Sequence, residues 1–247
     1  MKNYNTKFTA QLISVFIIFL FFNSCEKDKD ENTDSSNNGT NPTWTCGDPI
    51  VDTRDGKNYN TAQIGNHCWM AENLNYETGN SWCYEDDPSN CNIYGRLYDW
   101  YTLMNGEASS NSVPSGVKGI CPDGWHVPGD DEWKILEGTT DTKYPVGDTV
   151  WDGIETRGYD AGKRLKSTSG WSGNDISTDA FGFSALPGGV RYPYGGFLNI
   201  YSSGYFWTST GISGDYAWLH YLSWGTDGAG RYTNNKGIGY SLRCVKD

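Results

Sequence analysis

The sequence predicts an α+β domain in which a few short helices pack on small antiparallel sheets, with long irregular loops and disulfide staples. Three observations carry this. Helical spacing of apolar residues is confined to the first two thirds of the chain, whereas beyond it short strand-like runs follow one another, separated throughout by turn glycines. Six cysteines are scattered along the chain from Cys46 to Cys244 without a Cys-x-x-Cys pair, which suits disulfides better than zinc. The closing stretch alternates: Tyr240, Leu242 and Cys244 point one way, and Ser241, Arg243 and Val245 the other. It reads as a strand with one face, including Cys244, turned to a core. Cys121 is the natural partner of Cys244, and their bond would tie the last strand to the middle of the chain.

The chain has 247 residues, enough for one large domain or two small ones. Lys2 and Lys7 form a basic start, Phe8 to Phe22 is an almost unbroken apolar run, and Asn23-Ser24-Cys25 ends it. That run is short for a membrane-spanning helix and suits a signal peptide. Small Ser24 before a cysteine, with Leu20-Phe21-Phe22 upstream, resembles a bacterial lipobox, which makes residues 1–25 a lipoprotein signal and Cys25 the lipidation site. An ordinary secretion signal and an uncleaved anchor are the alternatives. Seven cysteines are an odd number, and giving Cys25 to lipid leaves six: Cys46, Cys68, Cys83, Cys91, Cys121 and Cys244. Six cysteines allow fifteen pairings, and sequence does not settle them. The preferred set is Cys46–Cys68, Cys83–Cys91 and Cys121–Cys244.

The formal charge is −11, and loss of Lys2 and Lys7 with the signal takes it to −13. No basic stripe is present to meet phosphates, which argues against nucleic acid and leaves the lipid as the sole link to a membrane. Residues 26–43 hold no apolar run and read as a disordered acidic tether. Its Lys-Asp/Glu start, Glu26 to Glu31, resembles the surface-export signal of Bacteroidota-type lipoproteins, so the protein is expected on the bacterial outer membrane, facing outward. Asp28, Asp30 and Asn32 mimic the start of a calcium loop, but the glycine and closing glutamate are missing.

The folded part, residues 44–247, is expected to be a single domain. Asp55-Gly56 between Val51-Asp52-Thr53-Arg54 and Lys57-Asn58-Tyr59-Asn60 predicts a hairpin with a two-residue turn. Trp69 to Leu74 reads as a short helical turn whose Trp69, Met70 and Leu74 are core. Tyr94, Leu97, Tyr101 and Met104 recur at helical spacing, so a helix is predicted over 94–104. Gly129 to Glu137 is a second helix with Asp130, Asp131 and Glu132 crowding its first turn, where the macrodipole favours acids. Neighbours on a helix do not converge, so the three read as a favourable helix start. A third short helix is predicted over Asp160 to Ser167. Strands follow at Ala180–Leu186, Val190–Tyr192, Gly204–Thr210, Tyr216–Trp224, Arg231–Thr233 and the closing stretch.

Several stretches together resemble one bacterial family. They are Ile64-Gly65-Asn66 with Trp69-Met70-Ala71-Glu72-Asn73-Leu74; Tyr94-Gly95-Arg96-Leu97-Tyr98-Asp99-Trp100; Cys121-Pro122-Asp123-Gly124-Trp125-His126-Val127-Pro128 with Glu132-Trp133; Phe181 to Gly189; Trp207-Thr208-Ser209-Thr210; and Tyr240 to Asp247. The match, to the Fibrobacter succinogenes major paralogous domain of exported lipoproteins, runs from about Val51 to Asp247. Gly129 stands where a capping serine is more usual. The resemblance implies a compact core similar to C-type-lectin-like domains and to the sulfatase-modifying fold. Copper chemistry of the latter needs two reactive cysteines, and the late region offers only Cys244. Lectin calcium triplets are likewise missing, so no cofactor is expected, and calcium lacks a motif.

Catalytic patterns are absent from the sequence. His67, His126 and His220 lack ligand spacing, and no Gly-x-Ser-x-Gly elbow occurs. His126 reads as a hydrogen-bonded structural histidine. Above background stands the aromatic load of eleven Trp and seventeen Tyr. Tyr192, Tyr194, Phe197 and Tyr201 fall in a glycine-broken loop, and Trp218 and Trp224 share a strand face, so these six are the candidate ligand contacts. The expected function is therefore non-enzymatic: a lipid-anchored surface protein binding glycan or a protein partner. A carbohydrate-active hydrolase with paired carboxylates and a structural subunit of a surface assembly are the alternatives.

Overall fold

A two-stranded ribbon opens the structure: β1 (Ile50–Val51) pairs antiparallel with β2 (Asn58–Tyr59). The hairpin is where the sequence places it, but six residues, 52–57, connect the strands instead of two. Buried Asp52 organises the connection, its carboxylate accepting from the Arg54 backbone N–H and from Arg54 Nε and Nη2 at 2.6–3.0 Å. The computed structural model describes residues 44–173 and 176–247, which fall in one compact unit. Cys25, residues 26–43 and the Asp28, Asp30, Asn32 set lie outside the described residues.

β3 (Thr61–Ile64) and β4 (His67–Met70) form a tight hairpin across Gly65-Asn66. Trp69 and Met70 therefore lie on a strand, not on the helical turn predicted for them. They point to opposite faces of β4 and enter different cores, which is why consecutive residues are both buried. A short apolar run cannot be told from a helix by pattern alone.

The helix predicted over 94–104 is three elements. After β5 (Ser81–Trp82), α1 (Pro88–Tyr94) ends, β6 (Leu97–Tyr98) pairs with β5, and α2 (Trp100–Met104) begins. Gly95 breaks the continuity with φ +72°, and a Cβ there would lie 2.7–2.9 Å from Asn73 and the carbonyls of Asn73 and Leu74. Asp99 then caps α2, accepting the Thr102 N–H at 2.7 Å. Tyr101 faces solvent, whereas Tyr94, Leu97 and Met104 are buried.

β7 (Trp125–His126) leads into α3 (Asp130–Thr140), the helix the sequence predicts, with Trp133 and Leu136 inward. Its cap is Gly129, whose N–H donates to Glu132 Oε2 at 2.8 Å. β8 (Glu155–Arg157) and α4 (Ala161–Leu165) follow. Residues 180–186, expected as a strand, form a loop in which Asp179 and Ser184 take positive φ and Asp179 caps Ser184. Then come β9 (Gly188–Arg191), β10 (Phe197–Ile200), β11 (Ser203–Gly211), β12 (Tyr216–Ser223), β13 (Ala229–Asn235) and β14 (Val245–Lys246).

The main sheet has six strands in the order β10-β9-β11-β12-β13-β8; β9 and β11 touch in parallel and the other pairs are antiparallel. A second sheet runs β3-β4-β14-β7. The architecture is α+β, with four helices of 5–11 residues among the described residues. Two hydrophobic cores flank the closing segment. Tyr240, Leu242 and Cys244 enter one, and Val245 enters the other. Ser241 and Arg243 are buried as well. The alternation predicted for 240–245 holds, but the stretch is not the continuous strand expected: only Val245–Lys246 is strand, residues 239–241 make isolated bridges, and both faces are covered, not one. The disulfides are Cys46–Cys68, Cys83–Cys91 and Cys121–Cys244, the preferred pairing. The last joins residues 123 apart.

Candidate functional site

Period-two alternation on the main sheet sends two rows of side chains to one face. In the first row Tyr205 on β11 stands opposite Tyr221 on β12, Tyr221 opposite Gly230 on β13, and Gly230 opposite Thr156 on β8. The Tyr221 ring lies across Gly230, where any Cβ would collide with it. In the second row Leu219 faces Tyr232. Tyr240, from the closing segment, stacks on Tyr205 at 5.1 Å between centroids and meets Trp207 edge-on at 4.8 Å. Tyr205, Leu219, Tyr221, Tyr232 and Tyr240, with Asn234, Thr156 and Glu155, line an open groove of about 520 Å³. Its floor is Leu219 and phenol rings; its polar atoms are phenol hydroxyls, the Thr156 hydroxyl, the Asn234 amide and the Glu155 carboxylate.

The phenols are held in place. Asn199 Nδ2 donates to Tyr205 Oη at 3.0 Å, and Asn234 Nδ2 donates to Tyr240 Oη at 2.9 Å. Burial pushes the Tyr240 phenol up, outweighing the Asn234 hydrogen bond, so it keeps its proton at neutral pH. Tyr232, 46% exposed, is the most open ring of the groove. Among the described residues Glu155 is the only carboxylate along it, and no Lys or Arg lines it.

None of the six sequence-predicted contacts lines this groove. Tyr192 and Tyr194 sit in the turn between β9 and β10, with Tyr194 98% exposed. Phe197 packs on Tyr84 at 5.2 Å and Tyr201, at the other end of β10, on Tyr94 at 6.2 Å. Trp218 is roofed by the Arg231 guanidinium 3.4 Å above its ring. Trp224 is exposed and lies against Gly173. The six are thus spread over separate places and do not form one platform. Tyr205, Tyr221 and Tyr232 were legible only as alternating positions on three strands whose register is a tertiary property.

The acidic start of α3 does more than favour the helix. Asp130 and Glu137, two turns apart on one face, are buried against the main sheet. Asp130 takes Arg231 Nε at 2.7 Å and His220 Nε2 at 3.1 Å; Glu137 takes His220 Nδ1 at 2.7 Å and Arg157 Nη2 at 2.5 Å. Burial raises the Asp130 carboxyl, but His220 and Arg231 outweigh it and hold it well below the usual range. His126 is hydrogen-bonded, as predicted, and between two acids: Glu132 Oε1 at 2.8 Å on Nε2 and Asp247 Oδ1 at 2.7 Å on Nδ1. All these groups are satisfied by one another, which marks them as scaffold.

A family model, the Fibrobacter succinogenes major domain, matches residues 62–246. The chain belongs to that family. The match covers the groove strands, the Asp130–Glu137 cluster and the Cys121–Cys244 clasp, all of which lie inside a Fibrobacter succinogenes major domain, and stops one residue short of Asp247. No curated protein and no solved structure matches the chain.

Proposed function

We propose that the domain is a non-enzymatic, lectin-like glycan-binding module, carried on the outside of a bacterial outer membrane by lipid on Cys25. One observation carries the binding site: the tyrosine-floored groove, in which Tyr221 lies across Gly230 between Tyr205 and Tyr232. A pyranose offers an apolar face of C–H bonds and an edge of hydroxyls. Phenol faces receive the first, and Glu155, Asn234 and Thr156 the second. Tyrosine has few rotors, so ordering it on binding costs little. Hydrolysis by paired carboxylates needs two acids across the scissile bond, and Glu155 is the only acid lining the groove among the described residues. Tyr194, almost wholly exposed at its turn, favours a second reading in which the β9–β10 turn grips a protein partner.

A glycan array separates these. Tyr221→Ala and Tyr232→Ala should each weaken binding of the full chain about tenfold or more, while Tyr192→Ala and Tyr194→Ala leave it near wild type. Unchanged binding in the first pair removes the groove; loss in the second pair alone moves the site to the turn. In cells, Cys25→Ser should shift the protein out of the membrane fraction, and retention there would refute the lipid anchor.

A further inference from the structure

Glu155 stands out among the groove residues because its backbone is left-handed, φ +63°, inside a three-residue strand. Strict alternation would send it to the side of Arg157 and Arg231, away from the groove; it nevertheless lines the groove beside Thr156. Left-handed backbone is unfavourable for a residue with a Cβ and comfortable for glycine. Several other residues with positive φ answer it with a side-chain contact, whereas exposed Glu85 and Asp86 do not. Asp179 and Ser184 bond each other, Asn199 bonds Tyr205, and Tyr201 packs on Tyr94. Glu155 has no such reward: among the described residues its carboxylate meets neither a cation nor a donor. Arg231, opposite it in register, is committed to Asp130 on the other face. Strain kept without structural return, beside a groove, points to a ligand.

We propose that Glu155 is the specificity determinant of the groove, selecting neutral or amino-bearing sugars and rejecting those with carboxylate or sulfate groups. This rests on the glycan reading above. A carboxylate accepts hydroxyl or ammonium hydrogens in bonds about twice as strong as neutral ones. An acidic sugar would set its charge against Glu155 with no Lys or Arg in the groove to offset it, which is rejection by repulsion.

The test uses the full chain on an array bearing neutral, amino, uronate and sulfated oligosaccharides, with Glu155→Gln, Glu155→Gly and Tyr221→Ala beside wild type. Wild type should bind neutral or amino sugars at least tenfold more tightly than acidic ones. Glu155→Gln should lower that binding about tenfold and narrow the discrimination. Glu155→Gly should lose binding while its unfolding midpoint rises by roughly 2–4 °C. Equal binding of acidic sugars by wild type, or unchanged binding by Glu155→Gln while Tyr221→Ala loses it, overturns the role of Glu155 and leaves the glycan reading standing. Failure of wild type to bind any array member, or no loss in Tyr221→Ala, overturns both.

Discussion

The two cores meet along one segment, 240–245, yet are secured by different chemistry. In the first, indole and phenol donors reach backbone carbonyls: Trp207 Nε1 donates to the Tyr98 carbonyl at 3.0 Å, Tyr98 Oη to the Tyr76 carbonyl at 2.8 Å, and Trp100 Nε1 to the Thr208 carbonyl at 2.8 Å, with the Asp52–Arg54 pair at its edge. Its long-range tie is covalent, Cys121–Cys244. In the second, Trp133 stacks on His220 at 5.3 Å amid Asp130, Glu137, Arg157 and Arg231. Arg243 enters from the shared segment and is held by the carbonyls of Phe183 and Ser184 and by Asn73 Oδ1. Burial pulls its guanidinium down to about 9, against the opposing pull of Asp179 and Glu72, so it is still a cation at neutral pH. One core is thus tied over long range by a disulfide, the other by buried ion pairs.

The largest break in that contrast is redox. Joining residues 123 apart stabilises by about 5 kcal/mol in the chain-entropy model, and the Cys83–Cys91 bridge, 8 apart, by about 2.5 kcal/mol. Cys121→Ser with Cys244→Ser should therefore lower the urea midpoint about twice as far as Cys83→Ser with Cys91→Ser. Equal losses would show that the clasp is not what secures the first core.

Next is charge. Glu137→Gln leaves Arg157 buried without its anion and should cost about 3–5 kcal/mol in urea unfolding. Replacing both partners, as Glu137→Leu with Arg157→Met, should cost less than Glu137→Gln alone, because no lone charge is then buried. A double variant as damaged as the sum of its singles would mean that the ion pairs are independent and the second core is not an electrostatic unit.

How much of this was legible follows from the range of each interaction. Alternation over Tyr240 to Val245 is local, and it located Cys244 correctly. The disulfide preference rested on which cysteines could close local staples, and it held. Tyr94, Leu97, Tyr101 and Met104 misled because two short helices and a strand reproduce helical spacing, while the collision of Gly95 with Asn73 is invisible without the fold. Asp130 and Glu137 share a helix face in the sequence itself, but their partners Arg157, His220 and Arg231 arrive from three strands whose register only the sheet defines. Aromatic counting pointed to loop rings and to Trp218 and Trp224 on one strand, whereas the groove uses tyrosines on neighbouring strands, brought together by a register that only the sheet defines.

His126 sharpens the comparison with the smallest effect, because it lies outside the second core and is nevertheless ionic. Burial lowers its imidazole pKa, but Glu132 and Asp247 outweigh that and raise it above the ordinary value near 6.5. A folded-state pKa above the unfolded one gives stability that is complete below about pH 6.5 and lost as pH rises through the folded value. Asp130 has the opposite sign: its depressed carboxyl contributes above about pH 3.9, and that contribution is lost as pH falls. Urea midpoints between about pH 2 and 9 should therefore decline toward both ends. His126→Gln, which keeps two polar contacts but cannot titrate, should flatten the alkaline decline and leave the acid one. If the alkaline slope survives in His126→Gln, the group that releases its proton is not this one, and the link from α3 through His126 to Asp247 holds by packing instead of charge.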